Sequence, residues 1–91
     1  MSDHPATRSV CFELIADAES GLIPRLLVPF ARRDLVPDQV RTRRNGATIV
    51  ASLAMHAMPA DMIHLVEGNL RQIVGLRRLE VVIRANERVA A

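Results

Sequence analysis

From Arg8 to Ala16 apolar and polar positions alternate, with Val10, Phe12, Leu14 and Ala16 on one side and Ser9, Cys11, Glu13 and Ile15 on the other. A period of two is that of a half-buried β-strand. Asp17 to Gly21 is small and acidic and reads as a loop. The spacing then turns helical from Leu22 to Arg33: Leu22, Leu26 and Phe30 are four apart, with Ile23, Leu27 and Ala31 beside them. Arg32 and Arg33 fall where a helix C-terminus favours positive charge. Pro24 is tolerated if Gly21 is the cap, because the first turn has no internal partners for its N–H groups. Pro29 removes a backbone bond and crowds the carbonyl of Arg25, which predicts a kink or a helix broken in two.

Asn45-Gly46 between two alternating runs predicts a hairpin with a type I′ turn. That turn pairs Arg44 with Ala47, Thr42 with Ile49 and Val40 with Ala51. It sends Val40, Thr42, Ile49, Ala51, Leu53 and Met55 to one face, and Gln39, Arg41, Arg43, Thr48, Val50 and Ser52 to the other. Pro59 to Val74 reads as a second helix whose stripe is Met62, Ile63, Val66, Leu70, Ile73 and Val74, with Gly75 as its stop. Gly68 inside it suggests close packing. Leu79, Val81 and Ile83 alternate with Glu80, Val82 and Arg84 in a last strand. Together these elements predict an α+β, ferredoxin-like βαββαβ sandwich: a four-stranded antiparallel sheet of order 4-1-3-2 with both helices on one face. The domain is expected over residues 8–85, with a loose leader at 1–7 and a frayed tail at 86–91.

Composition narrows the class of function. Ninety-one residues suffice for one domain, and a chain this short buries only about 60% of its unfolded surface, so it gains from a partner. Half of the residues are apolar and no run approaches the length of a membrane span, so no membrane role is expected. The leader has no apolar segment of the signal-peptide kind, and the single Cys11 excludes an internal disulfide; both suit the cytoplasm. All twelve basic residues are arginine, yet ten acidic ones leave a net charge of only +2. The only aromatics, Phe12 and Phe30, sit at core positions, so the stacking platform of a single-strand binder is missing.

Candidate chemistry is sparse. His4, His56 and His64 are scattered, and no His or Cys lies at metal-ligand spacing. Cys11 has no base to activate it, and Glu13 has no second carboxylate at an acid–base spacing. No catalytic residue, cofactor or metal is therefore assigned. Arg41, Arg43 and Arg44 read either as a phosphate-binding surface or as charge that protects an edge strand. With Arg84, the first two would serve an RNA-binding ferredoxin-like domain, the alternative function. The face away from the helices mixes Cys11, Ile15, Val50, Ala54 and Val82 with Glu13, Arg41, Arg43 and Arg84. Such a face is expected to be covered by a second copy of the chain or by a larger subunit. The loop Asp17-Ala18-Glu19-Ser20-Gly21 could present N–H groups at a positive helix end, suiting a carboxylate or phosphate; equally, Gly21 could merely permit the turn.

At this loop the sequence resembles a known family. Glu19-Ser20-Gly21-Leu22-Ile23, then Leu26-Leu27 and Phe30-Ala31-Arg32-Arg33, is similar to the opening of the ACT domain, above all in the small regulatory subunit of acetolactate (acetohydroxyacid) synthase. Leu70 to Val81 is similar to that family's second helix and last strand. The resemblance implies a ferredoxin-like fold, a dimer or a larger catalytic partner subunit, and an amino-acid ligand at the first loop, here Asp17, Glu19, Ser20, Gly21, Leu22 and Ile23. Such a subunit regulates amino-acid biosynthesis without catalysing a step. Two positions depart from the pattern: Ser20 stands where the family has Pro, and Ala18 where feedback-regulated members carry a ligand-gripping Asn. The length, a single ACT unit, is like that of the short, feedback-insensitive small subunits.

Overall fold

A computed structural model describes residues 6–85. In chain order these form strand β1 (Thr7–Asp17), helix α1 (Leu22–Ala31), strands β2 (Gln39–Asn45) and β3 (Thr48–Pro59), a 3-10 turn (Ala60–Met62), helix α2 (Ile63–Arg71) and strand β4 (Leu76–Ala85). The strands make one antiparallel sheet of order β2-β3-β1-β4, which is the expected order read from the other edge. The architecture is α+β and compatible with a ferredoxin-like fold. The β1 strand begins at Thr7, inside the expected leader. The rest of that leader up to residue 5, with His4, and the expected tail at 86–91 lie outside the described residues.

One core holds the layers together. Val10, Phe12, Leu14 and Ala16 of β1, Ala51, Leu53, Met55 and Met58 of β3 and Leu79 of β4 meet Leu22, Leu26 and Phe30 of α1 and Ile63, Val66 and Leu70 of α2. The alternation and the four-residue spacing thus select one sheet face and one stripe of each helix. Phe12 and Phe30 touch edge to face, with ring centres 5.7 Å apart, an arrangement that aligns the positive edge of one ring with the negative face of the other.

Several expectations are corrected. The hairpin turn lies one residue later than expected: Asn45 pairs with Thr48, Thr42 with Ala51 and Val40 with Leu53. Gly46 is then the first central residue of the turn, with φ +63°, while Ala47 keeps a negative φ. Those signs belong to a type II′ turn with glycine first, and a type I′ turn would have forced alanine into the left-handed region. The pairing moves by two residues, so every side chain keeps its predicted face. Helix α1 runs from Leu22 to Ala31 through Pro29 and is not broken in two. Arg33 donates to the Pro29 carbonyl at 2.9 Å.

The second helix starts later and stops earlier than its apolar pattern suggests. Pro59 ends β3, and the N–H of Ala60 bonds the carbonyl of Ala6 at 2.9 Å, so the chain is still held by β1 there. A bulge in β3 sets two residues, His56 and Ala57, against Ser9 of β1. It reverses the inward parity, which is why Met55 and Met58, three apart, are both buried. Val74, expected in the stripe, lies past the helix end and is 76% exposed. The helices also leave the margins of the sheet bare: β2 is exposed throughout, Val40 included, and Ile83 is half exposed. A Cβ added to Gly68 would meet nothing within 4 Å, so close packing does not explain this glycine. Gly68→Ala is accordingly expected to raise stability by about 0.5–1 kcal/mol, read as a higher urea midpoint at unchanged slope.

Candidate functional site: the first loop, the interhelical groove and the open sheet face

The first loop is tied down from both ends. The N–H of Asp17 bonds Gly75 O at 2.9 Å and that of Ala18 bonds Ala47 O at 2.8 Å. The Asp17 carboxylate takes the Nε of Arg77 at 2.5 Å, so this residue is engaged with the start of β4 and not with the loop's outer surface. Glu19 and Ser20 are exposed. Gly21 is the N-cap of α1, as expected, but with φ −91° and ψ 2° it holds a conformation open to any residue. It is therefore not required by the turn. Leu22 is 1% exposed and belongs to the core, whereas Ile23 is 40% exposed.

The expected ring of N–H groups is thin. Leu22 N–H is taken by Glu19 O at 3.1 Å, and Pro24 brings none to the first turn. A cationic group stands there in addition: Arg25 lies across the loop, its Nη2 3.0 Å from where a Cβ on Gly21 would sit. Its Nη1 is 3.6 Å from the carboxylate of Glu19, with both side chains about half exposed. Water screens such a pair, which leaves both groups available to another partner at little cost.

Arg25 and Glu19 mark the mouth of a groove of about 620 Å³ between α1 and the end of α2. Val28 and Pro29 form one apolar wall, Ile73 and Val74 the other, and Arg32, Asn69 and Gln72 add polar groups. The volume is that of a small-molecule site. Asn69 Oδ1 is buried and has no hydrogen-bond donor among the described residues. A buried acceptor left so is unfavourable by about 1–3 kcal/mol. Of the six residues the sequence singled out, the structure brings Glu19 and Gly21 together beside this groove; Asp17 and Leu22 are engaged elsewhere. Arg25, Arg32, Asn69 and Gln72 were not expected. Arg25 and Arg32, seven apart on one helix face, were the only legible hint.

The second feature is the sheet face away from the helices. Strand pairing sets its side chains in rows across β2, β3, β1 and β4: Arg43, Val50, Ile15, Arg78; then Arg41, Ser52, Glu13, Glu80; then Gln39, Ala54, Cys11, Val82. The expected apolar residues Cys11, Ile15, Val50, Ala54 and Val82 all lie on it, among the expected charges Glu13, Arg41, Arg43 and Arg84. Cys11 Sγ lies 3.1 Å from Ser52 Oγ, a hydroxyl that cannot serve as a base for the thiol. Among the described residues no three His, Cys, Asp or Glu side chains are grouped to hold a metal ion. No described helix is long and apolar enough to cross a membrane. No protein-family model matches this sequence, and no curated protein matches it.

Proposed function

We propose that this chain is a non-catalytic, ACT-like regulatory and assembly module, a small subunit of a biosynthetic enzyme such as acetolactate synthase, that takes an amino acid beside its first strand–helix loop. The observation that carries the reading is the pair Glu19–Arg25 at the mouth of an apolar-walled groove. A free amino acid needs three things: a cation for its carboxylate, acceptors for its ammonium and an apolar wall for its side chain. Arg25 offers the first, Glu19 the second, and Val28 with Ile73 the third. The sheet with both helices on one side supports the ferredoxin-like form of the ACT domain. Glu13 on β1 and Glu80 beside it on the edge strand β4 speak against the RNA-binding alternative, since they would meet phosphates with like charge.

Thermal unfolding of the full chain with each common amino acid in turn tests the ligand. An amino acid at ~100 times its Kd adds about 2.7 kcal/mol. For a domain of this length that is a rise of about 10 °C or more. An aliphatic amino acid is expected to give it, and Arg25→Ala to abolish it. If no amino acid moves the melting point, the ligand part of the reading fails.

A further inference from the structure

The sheet has one edge whose charge is unbalanced. From Gln39 to Ala54 the chain carries Arg41, Arg43 and Arg44 and no acidic residue, whereas the remaining nine of its twelve arginines stand against all ten acids. The net positive charge is thus gathered on the β2–β3 hairpin. Strand β2 is the outer strand there, bonded to β3 alone and exposed along its whole length. The guanidinium groups of Arg41 and Arg43 have no ion pair or hydrogen bond among the described residues. Arg44 donates to the Gly46 carbonyl of its own turn, at 3.0 Å. The acid next along the chain, Asp38, accepts the N–H of His56 at 2.7 Å. The opposite edge differs: on β4, Arg77 holds Asp17 and Arg78 holds Glu80.

The β2 edge is also open. Edge strands are normally closed by a bulge, a proline, a covering segment or charge. β2 pairs with β3 through seven consecutive residues without a bulge, contains no proline and is uncovered. Charge is the only one of these devices present, and it turns away only some strands. A second β2 would set arginine against arginine, and β4 of a second copy would bring Arg77, Arg78 and Arg84 with a single Glu80. An acidic strand is drawn in instead.

We infer that β2 accepts an extended, acidic segment of another protein as a fifth strand of the sheet. Its unpaired outer N–H and carbonyl groups supply the ladder, and the side chains on its two faces select the sequence that fits. Arg41 and Arg43 share the open face about 7 Å apart, the spacing of residues i and i+2 in a strand. Acidic residues two apart on the added strand lie beside them, where opposite charges across a ladder are favourable. On the other face Val40 is 41% exposed beside the buried Leu53, so an apolar residue alternating with the acids fits there. A nucleic acid would answer the arginines but leave the backbone edge and Val40 unmatched. The inference does not depend on the amino-acid groove: strand addition without an amino-acid response, and the reverse, are separate results.

Fluorescence anisotropy of the full chain with a labelled, end-capped peptide of four Glu-Val repeats tests it. The peptide is expected to bind with a Kd below about 1 mM, a weak peptide contact, and a Lys-Val peptide of the same length is expected not to bind. Replacing two of the valines by proline keeps all the acids but removes ladder N–H groups, and should weaken binding at least about tenfold. Arg41→Glu together with Arg43→Glu should weaken it by at least about as much. Both positions are exposed, so the fold is kept, and circular dichroism checks this. No binding of the Glu-Val peptide at about 1 mM, equal binding of the proline or Lys-Val peptide, or unchanged affinity in the charge-reversed protein would each overturn the inference. Tighter binding of an eight-nucleotide oligouridylate than of the Glu-Val peptide would also overturn it, and would assign the hairpin to nucleic acid.

Discussion

Phe12→Ala is expected to cost about 3–5 kcal/mol and to leave little or no cooperative unfolding transition at 37 °C. Phe12 is fully buried on the central strand β1, with hydrogen-bonded neighbours on both sides. Its ring meets Phe30 edge to face, so truncation removes that contact as well as the buried area and leaves a cavity between sheet and helix. A domain of this length has only about 4–12 kcal/mol in total. Phe12→Leu keeps most of the volume and should retain a sharp transition at a lower midpoint. Urea unfolding followed by circular dichroism measures both. A Phe12→Ala variant that lost less than about 2 kcal/mol would show that the core can close over the gap.

The second large effect is expected at Gly75. Its φ of +90° is unfavourable for any residue with a side chain, and a Cβ there would lie 3.3 Å from the Cβ of Asp17. Asp17 cannot easily give way, since its N–H bonds the Gly75 carbonyl and its carboxylate holds Arg77. Gly75→Ala is therefore expected to cost about 2–3 kcal/mol, the upper part of the range for a strained backbone. Gly46→Ala is the control: Gly46 has φ +63°, but nothing lies within 4 Å of its would-be Cβ. That substitution carries only the conformational term of about 1–2 kcal/mol. Equal losses at the two positions would mean that the approach of Asp17 imposes no constraint.

The elements of this fold were legible because their patterns are local. Val10, Phe12, Leu14 and Ala16 showed the inner face of β1, and Leu22, Leu26 and Phe30 the stripe of α1, without reference to any partner. What the pattern misjudged were limits set by neighbours. Val74 and Ile83 continue the apolar periodicity but lie beyond what the helices cover. Pro59 resembles a helix start, yet pairing with Thr7 keeps it in the sheet. The site was less legible than the fold. The loop Asp17 to Gly21 could be read as a candidate from its composition, but Arg25 reaches back over Gly21 and Asn69 joins the groove from a helix more than forty positions away.

By itself the sequence determined which side chains point together, since alternation and helical spacing depend only on backbone geometry. This is why the open face, with Cys11, Ile15, Val50, Ala54 and Val82, could be written down in advance. Only the tertiary structure decided which residues stand opposite one another: the two-residue shift in the hairpin, the bulge that turns both Met55 and Met58 inward, and the row that sets Arg41 and Glu80 at its two ends. The physical reason is that a strand's period is a property of its own chain, whereas register comes from turn geometry and from the packing of several strands at once.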